Sequence, residues 1–167
     1  MSMESVAAEA GTTVPTVRRR YPSKASLAAA VVDSLRAEPL PARAREPRAT
    51  ALAILENFHR NLRRPHALAV LGTLLAEEDR NPALMERFRK RLVEPRRAIL
   101  LQTLEDAQRA GELPPRADLE MIVNMLIGSF YARYVSHGTI PANWSRRVLA
   151  QLWPGLPSGS RHHGGRA

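Results

Sequence analysis

No cysteine occurs in the 167 residues, which excludes disulfides, thiolate nucleophiles and thiolate-bound zinc and permits a reducing compartment. No apolar run is long enough to span a bilayer, and no charged-then-apolar leader opens the chain, so a cytoplasmic protein is expected. Motifs for catalysis are missing too: there is no glycine-rich phosphate loop and no nucleophile motif. His59 and His66 are separated by the break at Pro65. Glu77, Glu78 and Asp79 lie near a helix end with no histidine at ligand spacing, and His162 and His163 fall in the tail. Neither a metal centre nor an acid–base pair is expected, and the chain reads as a non-enzyme without a cofactor.

What is present is apolar content and positive charge. Hydrophobic residues make up 44%, ample for the core of one ordinary domain or of a small domain on a larger one. The formal charge of +9 is spread about evenly along the chain. It supports general attraction to a polyanion without saying where contact occurs. One stretch, Ala10 to Lys24, supplies the location. It carries Arg18, Arg19 and Arg20 in succession and has no acidic residue. On charge alone three consecutive arginines are more often a solvated helix face. Their place on a short helix after a glycine turn is what favours a contact surface. Gly11 follows the apolar helical run from Val6 to Ala10 and suits the left-handed residue that ends a helix. Thr13 can cap a new helix through its hydroxyl, Pro15 is tolerated in the first turn, and Pro22 closes the segment. The pattern is that of a helix-turn-helix.

Around it, Ser2 is expected to cap a helix from Met3 to Ala10, and Ser23 another from Lys24 to about Arg36, with Leu27, Val31 and Leu35 on one face. Three prolines between Glu38 and Pro47 mark a linker. Leu52, Leu55, Phe58 and Leu62 then predict an amphipathic helix ending before Pro65, and the next helix runs from about His66 to Glu78. Gly72 within it suggests close approach of a neighbouring helix or of a ligand, more often the former. A long helix follows from Asn81-Pro82 toward Ala110, with Leu84, Phe88, Leu92, Ile99, Leu100 and Leu104 inward and a kink at Pro95; Gly111 ends it. Leu119 to Val135 suits a helix buried on several sides, and a last helix, Ala142 to about Trp153, carries Trp144, Val148, Leu149, Leu152 and Trp153 in one broad stripe.

Val6-Ala7, Ala10-Gly11, Thr16-Val17 and Tyr21-Pro22-Ser23-Lys24 resemble the pattern around the recognition helix of the tetracycline-repressor (TetR) family of one-component transcriptional regulators. Asn81-Pro82-Ala83-Leu84, Val93-Glu94-Pro95-Arg96-Arg97 and Gly111-Glu112-Leu113 before Asp118 look like the ligand-binding and dimerisation domain of one TetR subgroup, so the resemblance covers most of the chain. It implies an all-α fold, a small helix-turn-helix head followed by a helical bundle. The expected boundaries are 1–37 for the head, 38–47 for the linker, 48–154 for the body and 155–167 for a disordered tail. Two departures stand out. Arg18 occupies a position where the family usually has tyrosine, and the family has a further helix before the one that follows Ser2. The head is therefore expected to be incomplete, through a start site lying upstream of Met1 or a natural truncation, leaving Val6, Val17 and Leu27 without a covering neighbour.

By the same resemblance, Thr13, Val14, Pro15, Thr16, Arg19 and Arg20 face the major groove, while Arg18, Tyr21 and Lys24 meet phosphates. Phe58, Leu71, Met85, Leu104, Asn124, Met125 and Tyr131 are candidate linings for a small-molecule effector, though each is more often plain core. Trp144, Val148, Leu149, Leu152 and Trp153 are candidates for the interface of a homodimer. The expected function is transcriptional regulation, as a repressor that binds a palindromic operator and is released by a small molecule. The alternative is a dimerising, ligand-binding fragment without a competent DNA-binding head.

Overall fold

The structure, a computed structural model, describes residues 2–35, 38–65 and 67–153, the side chain of Leu152 excepted. The expected helix limits at Arg36 and His66 and the tail after Trp153 lie outside the described residues. Among those residues the elements are all helical: α1 (Met3–Glu9), α2 (Val14–Arg20), α3 (Lys24–Ser34), α4 (Pro47–Leu62), α5 (Ala67–Glu77), α6 (Pro82–Phe88), a π-helical turn (Arg89–Val93), α7 (Glu94–Arg109), α8 (Leu119–His137) and α9 (Trp144–Leu152).

Local chemistry explains most of the boundaries. Ser2 caps α1 and Ser23 caps α3, each through a reciprocal pair with the serine three residues on. The Ser26 backbone N–H donates to Ser23 Oγ at 3.0 Å while the Ser23 N–H donates to Ser26 Oγ at 3.0 Å. Both ends thereby satisfy backbone donors that would otherwise be orphaned. Gly11 adopts φ +59°, Gly111 +75° and Gly138 +70°, and each stands just past a helix end. Thr13 departs from expectation. It holds the N-cap position of α2, yet its hydroxyl makes no capping bond and pairs with the Thr16 hydroxyl at 3.0 Å.

Pro95 does not simply kink one long helix. The chain passes from α6 through the π turn, in which the Glu94 N–H donates to the carbonyl of Arg89, and continues without a break into α7, whose second residue is Pro95; the wide turn just before it is where the helix accommodates the N–H that proline lacks. Gly72 also differs. A Cβ built there would meet no atom within 4 Å, so among the described residues no helix approaches closely at that point.

The helices pack as two compact units: residues 1–39 with 61–95, and residues 40–60 with 96–167. The division read from the prolines at 38–47 differs because α5 and α6 belong with the head. In the first unit Met3, Ala7, Val17 and Leu27 form one small core, joined by half-buried Val6, Val14 and Tyr21. Val17 and Leu27 are thus covered, with Met3 and Ala7 of α1 in the same cluster. Val32, Leu74, Leu84 and Met85 form another core, with Ala28, Ala29, Val70 and Phe88 against it. Helix α3 therefore serves two cores. Leu27 points into the head, Val32 docks on α5 and α6, and Val31, expected on the inward face, is exposed. In the second unit Leu55, Leu100, Leu104, Val123, Leu126, Phe130 and Leu149 are almost wholly buried.

Candidate nucleic-acid interface

Helix α2 rests on the head core through Val17, with Val14 and Tyr21 beside it. Successive helical residues stand about 100° apart, which decides what the other side presents. Taking Val17 as the inward direction, Pro15 and Arg19 point almost directly away from the core. Thr16 and Arg18 flank them. Pro15, Thr16, Arg18 and Arg19 are all exposed, as is Thr13 at the cap. Arg20 rotates back toward the core edge, where its guanidinium lies 5.8 Å from the centre of the Tyr21 ring. The three arginines are thus exposed and unburied, but they do not share one direction.

Charge around this face is modified by Glu4 and by the ion pair of Lys24 with Glu77. Glu4, in the first turn of α1, has its carboxyl held below the usual range by hydrogen bonding to its own backbone N–H and to Ser2, with a further contribution from the positive charge of Arg18. Val14 is half-buried and Tyr21 largely turned to the core side, so both act as supports of the helix. Lys24, expected at a phosphate, lies 3.5 Å from a carboxylate oxygen of Glu77 on α5. That ion pair competes with any external anion for the ammonium.

The candidate effector linings are not gathered in one place. Phe58 and Tyr131 meet edge to face at 5.9 Å, and Phe58 meets Phe130 at 5.3 Å. Burial pushes the Tyr131 phenol upward in pKa. His59 packs 5.5 Å from the Phe130 ring and is buried, as is Asn57, two polar residues that no periodicity singled out. Leu104 is fully buried in this same unit, whereas Met85 belongs to the Val32 cluster of the other and Leu71 is half-buried there. Asn124 is exposed. Its amide oxygen accepts from Arg97 at 2.8 Å, and Arg97 also pairs with Glu120 at 2.6 Å, so the amide finds its partner on the surface. Met125 is exposed as well. Among the described residues no group of three histidine or carboxylate side chains gathers at metal-holding distance.

The expected dimer residues divide in two. Leu149 and Trp153 are buried within their own unit at 2% and 3% exposure, so their side chains leave little for a partner. The Leu152 side chain lies outside the described residues. Trp144 and Val148 line an open groove of about 340 Å³ together with Met125, Ser129, Arg147 and Gln151. The Trp144 indole N–H donates to Ser129 Oγ at 3.2 Å, and the guanidinium groups of Arg133 and Arg147 lie 5.5 and 5.2 Å from its ring. Next to the groove α8 exposes Met121, Met125, Gly128, Ala132 and Val135, at alternating steps of four and three along one face. The spacing that suggested burial on several sides serves two faces: Val123, Leu126 and Phe130 inward, this stripe outward.

Residues 45–152 match the family described as Tetracyclin repressor-like, C-terminal domain. The HTH-type transcriptional regulators Rv1556 of Mycobacterium tuberculosis and Mb1581 of Mycobacterium bovis are each 30% identical over 136 residues, 81% of this chain. The chain spans 66% of the length of these relatives. A crystal structure of the TetR family transcription regulator SCO0332 superposes with a TM-score of 0.59 at 24% identity, over 93% of this chain and 86% of that one, a likeness of fold. With the family match extending over most of the helical chain, the protein belongs to the TetR family of transcription regulators.

Proposed function

We propose that the chain binds duplex DNA through α2 as a symmetric homodimer and regulates transcription as a repressor released by a small molecule. The observation that carries the reading is the outer face of α2, where Pro15, Thr16, Arg18 and Arg19 are exposed on a helix fixed from behind by Val17. In this reading Thr16 and Arg19 reach base edges, Arg18 reaches a phosphate, and Thr13 contacts the backbone near the helix start. Arg20 and Tyr21 act chiefly as supports. This refines the assignment made from the resemblance, because helical geometry turns Arg20 away from the direction of Arg19.

Two copies present two such helices, so the preferred site is palindromic, with half-sites about one or more DNA turns apart. If each copy neutralises about three phosphates, the slope of log affinity against log salt is about −5 for the dimer. Selection from a randomised duplex pool followed by gel shift at several salt concentrations measures both. A slope near zero, or a pool without two-fold symmetry, removes the reading.

For dimerisation the support is the exposed heptad-like stripe on α8 beside the Trp144 groove. An apolar face of this kind is what a second copy would cover. For the effector, Phe58 and Tyr131 are the candidates that stand together, and a mostly apolar small molecule is the class that suits their aromatic edges. Quenching of tyrosine emission by a screened library, lost in Tyr131→Ala, tests that step.

A further inference from the structure

Helix α3 carries one acidic residue, Asp33, near its C-terminal end, and that carboxylate is gripped from two elements at once. Arg87 of α6 donates through Nε at 2.7 Å to one oxygen and through a terminal nitrogen at 2.5 Å to the other. Arg91, in the π turn, donates to the first oxygen at 3.1 Å. A planar guanidinium bound through two nitrogens fixes orientation as well as distance, which a single point charge does not. The grip stands beside the cluster in which Val32 packs with Leu84 and Met85. Apolar contact holds α3 against α6, yet it permits sliding; the fork removes that freedom.

The geometry points to Asp33 as a positioning residue for DNA binding, which acts through Arg87 and Arg91 to fix the pose of the α1–α3 head on α5 and α6. It rests on the DNA-binding reading above. Asp33 belongs to α3 and not to the outer face of α2 and, being negative, would itself repel a phosphate. Its value lies in preorganisation. A head that rocks on α6 must lose that freedom when it binds, and the ordering cost appears as weaker affinity. Lys24 and Glu77, at the other end of α3, make a second and looser tie between α3 and α5.

Electrostatics and positioning make opposite predictions, which gives the test its edge. Asp33→Asn removes a negative charge, so if Asp33 acts only through its charge, duplex affinity rises. If it positions the head, affinity falls, roughly twofold to fivefold, the range expected when a partly exposed ion pair is lost. Arg87→Lys keeps the charge and removes the fork, and it is expected to weaken binding in the same direction. In both variants the salt slope stays that of the wild type, because no phosphate contact is lost. The probe is the tightest duplex recovered from a randomised pool, used with the whole 167-residue chain. Circular dichroism confirms that each variant is folded, and Arg87→Lys serves if Asp33→Asn does not fold. Tighter or unchanged binding by a folded Arg87→Lys overturns the proposal. Should the wild type bind no duplex at all, the underlying reading fails and takes this one with it, whereas wild-type binding with an unaffected Arg87→Lys sinks the positioning role alone.

Discussion

Arg19 and Arg20 are neighbours in sequence and differ in setting, because one helical step of about 100° separates a residue opposite Val17 from one at the edge of Tyr21. Arg19→Ala is expected to weaken duplex binding at least tenfold and to make the salt slope shallower by about one if the lost contact is a phosphate, or to relax base preference at one position if it is a guanine. Arg20→Ala is expected to do much less to DNA and to cost about 0.5 kcal/mol of stability through the lost cation–ring contact. Equal effects of the two on affinity would show that the helix is read from a different side. Asp33 yields a pH prediction. Hydrogen bonds from Arg87, then the charges of Arg87 and Arg91, hold its carboxyl below the usual range. A carboxylate with a depressed folded pKa contributes stability above its unfolded pKa, about 3.9, and loses it as pH falls through the lower folded value. The difference in thermal midpoint between wild type and Asp33→Asn should therefore be constant from neutral pH to about 5 and shrink toward zero only below about 4. A difference that changes between pH 6 and 8 would implicate some other group. None of this was readable from composition. The residue types and the cationic stretch could be read in order, but their partners, Glu77 for Lys24 and Arg87 for Asp33, lie more than fifty positions away.

At the scale of elements, local signals did most to fix where helices begin and end. Ser2, Ser23, Gly11, Gly111 and Asp118 act within a few residues of themselves, and the structure places each at the boundary its chemistry favours. The π turn was harder to see. Phe88, Leu92, Arg96 and Leu100, all buried or half-buried, are separated by three successive steps of four. Over that span a regular α-helix would rotate the stripe by about 120°, and one extra residue in a wide turn takes up most of the drift. The spacing was visible, while the choice between a kink and a wide turn depended on packing at both ends. Val31 and Val32 show the same limit, since a helix shared by two cores has no single inward face. Two glycines separate local from tertiary causes. Gly72 sits inside α5 with open space where a Cβ would be, so Gly72→Ala is expected to stabilise the fold by about 1 kcal/mol. Gly111, at φ +75°, is in the region where a side chain is strained, and Gly111→Ala is expected to cost about 1–2 kcal/mol. Chemical denaturation of the two variants should move their midpoints in opposite directions. If Gly72→Ala destabilises, some partner approaches α5 in solution.

For the whole molecule, the apolar stripe on α8 is the feature on which the proposed dimer rests. Met121 is 53% exposed, Met125 43% and Val135 84%, and the smaller Gly128 and Ala132 complete the line between them. Leaving such a stripe in water forfeits burial free energy of about 25 cal/mol for each Å² covered, and an isologous contact would recover it from both copies at once. Small residues at the centre of the stripe, with nothing among the described residues to use the space beside Gly128, would allow two helices to approach there. The sequence had suggested Leu149 and Trp153 for this contact because a stripe pattern identifies apolar residues without saying which neighbour covers them. In the structure they are core. The two groups should therefore fail in different ways. Leu149→Ala is expected to destabilise the protomer by about 2–5 kcal/mol, as for a buried leucine. Met125→Glu touches a side chain already exposed, so it should leave helicity and protomer stability within about 0.5 kcal/mol. It would place two carboxylates in an apolar contact by symmetry, and desolvating an unpaired charge there is costly enough to shift the chain to monomer at micromolar concentration. Sedimentation equilibrium on the two variants and the wild type distinguishes these outcomes. A wild type that remains monomeric at tens of micromolar would leave the α8 face without a second copy, and an associating Met125→Glu would move the interface elsewhere. With DNA, the same Met125→Glu chain should bind a single half-site with a salt slope near half that of the wild type, because one reading helix acts alone.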